Sequence, residues 1–443
     1  MAQIQLSDHF TYRKLLRFTL PSIVMMIFTS IYCVVDGIFV SNFVGKTPFA
    51  AINLIMPFLQ MLGVVGFMLG TGGSALVAKT LGEGNKERAN SLFSMLVYLL
   101  VVIGVVLAII GAVSVRDVTI WLGAESDMVD FCVRYSNILL FGLPAFMLQV
   151  AFQAFWVTAE KPSMGLKITI GAGVANIVLD YVFIVLFGWG LEGAAYATLM
   201  SQCVGGIIPL IYFARPNSSL LRFTRFHYDR KALSKSCTNG SSEMVTNLSL
   251  SFVCMLYNFQ LMKYIGENGV AAFGVIMYTY FVFLSVFIGY SIGSAPIVSY
   301  HYGAENKNEL KNLLRKSVMI LSIMGVITTL LAVWLAAPLS KVFVGYDEDL
   351  YRLTHHAFVL YSLSFLVIGL NIYSSAFFTA LNNGFVSAGL SFTRIFVLEC
   401  GAVMLLPLIW GVDGIWLSIV VAQIIALFIA IIVFACYRNK YGY

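Results

Sequence analysis

Apolar stretches long enough to cross a bilayer recur twelve times along this chain, near 15–40, 50–76, 92–115, 133–158, 164–188, 191–213, 242–264, 269–298, 314–338, 353–379, 386–410 and 413–436. A spanning helix needs about 20 such residues. In lipid the backbone must satisfy its own polar groups, which leaves helices and closed barrels as the available solutions. Stretches of this length select helices. The composition agrees: 60% of residues are hydrophobic and 11% charged, against about 25% charged in soluble domains. The expected fold is an all-α polytopic membrane protein of twelve transmembrane helices.

The basic residues test the count of twelve. With a cytoplasmic N-terminus, 20 of the 27 Lys and Arg fall in the arm, loops and tail of the inner side, six fall outside, and Arg394 lies within the eleventh span. This is the bias of the positive-inside rule, and a shift of one helix would scramble it. Both termini are therefore expected in the cytoplasm, with the protein in the plasma (inner) membrane. The basic central loop is read as a linker facing anionic lipid, with no nucleic-acid partner. Seven cysteines show no CxxC pair or metal spacing, and no disulfide framework is implied.

The chain also repeats itself. Gly82-Glu-Gly-Asn-Lys recurs as Gly303-Ala-Glu-Asn-Lys, Gly190-Leu-Glu-Gly as Gly411-Val-Asp-Gly, Gln202 as Gln423 and Thr158 as Thr379, all at an offset of 221 residues. The spacing predicts a six-helix half over 1–213, a basic cytoplasmic linker over 214–241 and a second six-helix half over 242–443. Six is even, so the halves share one orientation and are related by an axis along the membrane normal. Such halves rock about a central site, which is alternating access.

Acids inside the spans are few and costly, and by default mark ion or proton sites. Asp36 lies near the outer end of the first span. Asp180 lies in the fifth, four residues after Asn176, so both project from one helix face. At the 221 offset Asp36 corresponds to Tyr257, Asn176 to Val397, Asp180 to Gly401 and Thr198 to Ile419. The first half thus owns a polar cluster that the second lacks. Two carboxylates brought together in low dielectric share a proton or bind a cation. With Asn176 and Thr198 adding neutral oxygens, the cluster could also hold Na⁺ as a metal site. Glu399 and Arg394 lie five apart in the eleventh span, a poor intrahelical pairing, so they are candidates either for pairing with other helices or for lining a substrate cavity in the second half. Gln149, Gln153, Asn371 and Tyr373 are candidates either for a substrate cavity or for interhelical hydrogen bonds. Glu243 and Glu160 are expected at cytoplasmic helix ends in interfacial roles. Gly82-Glu-Gly-Asn-Lys lacks the Gly-Lys-Ser/Thr ending of a P-loop, so no nucleotide or other cofactor is expected and an ion gradient is the expected energy source. No catalytic constellation is evident, and the protein is not expected to be an enzyme.

On these residues the chain resembles the MATE family of multidrug and toxic compound extrusion transporters. The resemblance covers essentially the whole chain and is sharpest at Asn176-x-x-x-Asp180, followed by Gly-x-x-Gly-Ala-Ala-x-Ala-Thr198. It implies a DinF-like branch in which Asp36, Asn176, Asp180 and Thr198 form the ion-coupling site and Pro21 marks the bend of the first helix. The acids that the NorM-like branch places in its seventh and tenth helices have no clear counterparts, since the tenth span carries none and Glu243 opens the seventh. The function implied is a monomeric H⁺- or Na⁺-coupled antiporter for amphipathic organic cations. The alternative is a flippase for a lipid-linked oligosaccharide or other lipid precursor, for which Arg394 would be the single intramembrane cation.

Overall fold

The structure, a computed structural model, describes residues 4–44, 46–124, 126–345 and 347–443. Within them the chain is helical and has no strand. The helices are α1 (Tyr12–Phe43), α2 (Lys46–Gly82), α3 (Lys86–Trp121), α4 (Ser126–Phe141 and Leu143–Thr158), α5 (Pro162–Asp180 with a π-helical turn Tyr181–Leu186), α6 (Gly190–Ala214), α7 (Arg230–Tyr264), α8 (Glu267–Gly303), α9 (Lys307–Val344), α10 (Glu348–Ser362 and Phe365–Ala380), α11 (Gly384–Phe392, a π-helical turn Thr393–Glu399, and Cys400–Leu405) and α12 (Pro407–Tyr441). They are twelve helices in two halves, α1–α6 and α7–α12.

By length and apolarity nine of the described helices can cross a bilayer, and eleven when α4 and α10 are each counted as one bent span. The twelfth, α7, fails that test: its first turns read RKALSKSCTNGSSE, and the stretch after them carries Asn247, Asn258 and Gln260 among its apolar residues. The same helix begins twelve residues earlier than its apolar stretch, inside what the sequence marks as linker. Asp229 starts it: its side chain accepts a hydrogen bond from the N–H of Ala232 at 3.0 Å, the N-cap geometry.

Two breaks went unseen in the sequence. α4 bends by 57° between Phe141 and Leu143, and α10 by 47° between Ser362 and Phe365. Gly142 and Leu363, which sit at these bends, are 221 apart. In α4 the Gly-Leu-Pro sequence explains the bend, since Pro144 cannot continue the preceding helix. In α10 no proline is present. Gly190 and Gly411, the repeat's glycines, have φ of +56° and +58°, a conformation that L side chains avoid. Each breaks the chain at the start of the last span of its half, and in α12 the break falls inside the helix.

The halves meet along α1 against α8 and α2 against α7. Small residues make the seam. A Cβ on Gly72 would collide with Gly240, and one on Gly293 with the backbone of Thr19; a Cβ on Gly82 would collide with the carbonyl of Tyr300, and one on Gly303 with that of Lys79. Each pair of contacts is related by the 221 offset, so the seam is isologous about a pseudo-twofold axis. All of these contacts lie toward the end that carries both termini, and they close the molecule there.

Both halves lend their opening residues to the other. Leu6, Phe10, Leu15 and Phe18 pack in the core of the second half, while Leu221 and Ala232 pack in the core of the first. The N-terminal arm straps the two together. Leu6 N–H donates to Glu160 Oε1 at 2.5 Å, Phe10 N–H donates to Glu309 Oε1 at 2.9 Å, and His9 Nδ1 lies 2.6 Å from Glu309 Oε2. The linker is pinned in the matching place on α3. Arg222 N–H donates to Asn90 Oδ1 at 2.9 Å and Thr224 N–H to Ser94 Oγ at 2.8 Å, and Phe223 stacks on Phe93 with centroids 5.2 Å apart.

Candidate functional site

Asn176 and Asp180 fall on one stripe of α5, 2% and 0% exposed. α5 packs along α1, which carries Asp36, and the Asp36 and Asp180 carboxyl groups lie close enough to interact electrostatically. Among the described residues Asp36 Oδ1 and both Asp180 oxygens are buried with no hydrogen-bond partner, and so is Thr198 Oγ1 on α6. Ser201 Oγ donates to the Ala172 carbonyl at 2.8 Å, which sets α6 against α5 and brings Thr198, one turn outward, level with Asn176. Unpaired buried polar atoms cost about 1–3 kcal/mol each, and charged ones more. Four such oxygens on three neighbouring helices make a place that could take up a proton or a cation.

The surround of this cluster holds residues that sequence reasoning passed over. Tyr32 lies one turn before Asp36 and close to Gln149, and Tyr135 on α4 lies within electrostatic range of both Asp36 and Asp180. Gln149 is thus part of the wall between α1, α4 and α6, its side chain filling the space beside Gly205. The i to i+4 spacing of Tyr32 and Asp36 was a usable signal; the approach of Tyr135 from another helix was not.

A cavity separate from this cluster opens mainly in the second half, with α2 and α4 closing one wall. Of the residues expected to face a cavity, Gln153, Arg394 and Glu399 line it, whereas Gln149, Asn371 and Tyr373 are not among its lining residues. Asn371 Nδ2 donates to the Gln423 carbonyl and to Gln423 Oε1 at 2.8 and 2.9 Å, tying α10 to α12. Tyr373 is buried beside Tyr290, with ring centroids 6.0 Å apart. Interhelical bonding and packing are the roles in which these two are found.

Glu243 corrects the sequence reading. Because α7 starts at Arg230, Glu243 sits nearly four turns inside it, lines the cavity and faces Arg394. It is no interfacial residue. Glu160 does stay at a helix end, between α4 and α5, where burial pushes its carboxyl above the ordinary range. Arg394 and Glu399, which an ideal α-helix would splay apart, both lie on the π-helical turn of α11, 8% and 4% exposed. Pro21 lies within an unbroken α1, beside the point where Ser22 and Ile23 meet Gly289 of α8. Among the described residues no cluster of His, Cys, Asp and Glu has the form of a transition-metal site, and the cysteines are free.

Comparison with known proteins places this arrangement. The MatE family model matches residues 21–182 and 243–401. The "Multidrug export protein MepA" of Staphylococcus haemolyticus (strain JCSC1435) is 22% identical over 433 residues, 97% of this chain and 94% of that protein. The "Probable multidrug resistance protein YoeA" of Bacillus subtilis (strain 168) is 23% identical over 372 residues, 81% and 79% of the two chains. A solved structure described as the outward-facing conformation of a multidrug resistance MATE family transporter of the MOP superfamily superposes with a TM-score of 0.92 at 22% identity, covering 100% of this chain and 98% of that one. A family match over both halves, on a shared twelve-helix fold, identifies this chain as a member of the MatE family.

Proposed function

We propose that this protein is a multidrug efflux antiporter that exports amphipathic organic cations by alternating access, driven by inward H⁺ or Na⁺. The observation that carries the reading is the buried Asp36–Asp180 pair with its unpartnered oxygens, set in one half and apart from the main cavity in the other. Multidrug export by the relatives supports the substrate class. In this scheme the coupling ion is a substrate. A proton would sit between the two carboxyl groups, or Na⁺ would take oxygens from Asp36, Asp180, Asn176 and Thr198. Filling the pair removes the repulsion between α1 and α5 and changes how α1 sits on α8. Pro21, which has no N–H to give, is where α1 bends most cheaply. The seam closed at the terminus-bearing end corresponds, with cytoplasmic termini, to an outward-open state. The DinF-like branch follows from the same placement of the acids.

The driving force suffices. A gradient supplies about 2.3 kcal/mol per charge per 100 mV and about 1.4 per pH unit, enough for a concentration ratio of roughly a hundredfold per proton.

Proteoliposomes loaded with ethidium test the proposal. A pH gradient and a Na⁺ gradient are imposed separately, on the wild type and on Asp180→Asn. Efflux under one gradient, lost in the variant, is the expected result and names the ion. Full efflux by a well-folded Asp180→Asn protein would overturn it, and no efflux under either gradient would turn the reading toward a lipid-linked flippase.

A further inference from the structure

The cavity holds a cation that a pocket for organic cations does not need. Arg394 is 8% exposed and its Nε has no partner among the described residues. A buried guanidinium is ordinarily held in a bidentate pair with a carboxylate. Glu243 and Glu399 are within electrostatic range of Arg394, but among the described residues neither closes an ion pair with it within 4 Å, and all three line the same cavity. The donor fork is therefore free to meet a ligand.

The rest of the cavity narrows what that ligand is. Beside Arg394 runs a chain of hydroxyls: Ser375 Oγ lies 2.8 Å from Ser391 Oγ and 2.8 Å from Ser387 Oγ, which lies 2.7 Å from Thr379 Oγ1. Aromatic rings also face the cavity, with Tyr257 stacked on Phe273 at 4.9 Å and Tyr280 edge-on to Tyr361 at 5.3 Å. A flat apolar body fits these rings. Two carboxylates against one guanidinium leave no surplus positive charge, so a multiply charged diphosphate is repelled. A molecule with one anionic and one cationic group meets a partner at each end.

Accordingly, and resting on the reading of this cavity as the substrate site, we propose that Arg394 anchors the anionic group, carboxylate or phosphate, of an aromatic zwitterion whose cationic end faces Glu243 and Glu399. The transporter then selects zwitterionic amphiphiles over purely cationic analogues of the same shape.

The test is equilibrium binding to the purified full chain by fluorescence polarisation, using rhodamine B and its cationic ethyl ester. The two dyes share a ring system and differ by one carboxylate. The wild type should bind the zwitterion at least as tightly as the ester. Arg394→Gln should shift the zwitterion-to-ester affinity ratio against the zwitterion about tenfold or more, with Arg394→Lys restoring part of it. An unchanged ratio in a monodisperse Arg394→Gln protein overturns the proposal. Should that variant not fold, Glu399→Gln decides instead: it should weaken the ester more than the zwitterion, and equal losses overturn the proposal. A polyprenyl diphosphate should compete poorly; if it displaces rhodamine B better than a monocarboxylate does, the anion is a lipid phosphate and the zwitterion assignment is wrong. Dye binding needs no gradient, so failure of ion coupling in the ethidium assay is distinguishable from failure here.

Discussion

The two halves of this molecule share a frame and differ in what they bury inside it. At the seam the repeat is kept to the atom: Gly82 meets the Tyr300 carbonyl as Gly303 meets the Lys79 carbonyl. In the interior it is discarded. Where the first half places Asp36, the second places Tyr257, fully buried, stacked on Phe273 and lining the cavity. Where the first half places Asp180, the second has Gly401, whose Cβ would meet nothing within 4 Å. Backbone contact tolerates no side chain, so the glycines Gly72 and Gly293, and Gly82 and Gly303, are kept in both halves. Interior side chains have room to diverge, and they have diverged toward a small carboxylate cluster on one side and a wide aromatic cavity with offset charges on the other. On the function proposed above, ion and organic substrate are handled in separate compartments, coupled through the seam.

The strongest way to break that comparison is to remove one carboxylate from the first half. Asp180→Asn should lower gradient-driven ethidium efflux by at least about a hundredfold, the order expected when a group that must exchange an ion no longer can. Ethidium binding to the cavity should persist. Binding and coupling lost together, in a folded protein, would mean that the compartments are one. Next in size is the converse change. Glu399→Gln should weaken ethidium binding about tenfold, the worth of one charge-assisted contact, and leave the ion-to-drug stoichiometry unchanged. A changed stoichiometry, read from proton or Na⁺ flux per ethidium, would place Glu399 in the coupling machinery.

How much of this was legible in the sequence differs between the halves for physical reasons. The twelve spans, the repeat and the pairing of Asn176 with Asp180 follow from apolar length, loop charge and helical period, all local. The bend in α4 could be read from Gly142 and Pro144. Its counterpart in α10 could not, because no residue there forbids a helix and the bend is set by packing. Glu243 was misplaced because α7 opens with polar residues that are buried against the other half, so hydropathy puts its start twelve residues too late. Arg394 and Glu399 looked incompatible at a spacing of five, and the π-helical turn that carries both leaves no compositional trace. Asn371 and Tyr373 show the reverse error: polar residues in a span are as readily bonded to a neighbouring helix as turned to a cavity.

The seam offers a sharper test of shared architecture. Gly82→Ala and Gly303→Ala each force a methyl onto a carbonyl of the other half, a rigid partner that cannot swing aside. Each should destabilise the closed seam by about 1–3 kcal/mol, the usual cost of overpacking, and by similar amounts. Gly401→Ala, with open space around it, should change stability by about 1 kcal/mol or less. Thermal unfolding in detergent checks all three, and a large difference between the two seam variants would show that the pseudo-twofold is not energetic.

The smallest effects lie at the helix starts that follow the repeated loops. Asn85 Oδ1 accepts from Arg88 N–H at 3.0 Å, and Asn306 Oδ1 from Glu309 N–H at 3.1 Å. Replacing either with Ala should cost about 1 kcal/mol, at any pH, since the amide does not titrate. Asp229 caps α7 with a carboxylate, and the hydrogen bond from Ala232 N–H, aided by Arg88 at 3.6 Å, holds its carboxyl below the ordinary Asp range. A group whose value is lowered by folding stabilises the fold above its unfolded value and stops doing so as pH falls through the folded one. Asp229→Ala should therefore cost about 1 kcal/mol at neutral pH, and the gap from the wild type should narrow on acidification. Asp229→Asn keeps the acceptor without the charge, so its own cap should not vary with pH. Unfolding midpoints of the three proteins between neutral pH and the acid limit of the fold would read this directly, and a gap that widens on acidification would mean that Asp229 is held by contacts other than its cap.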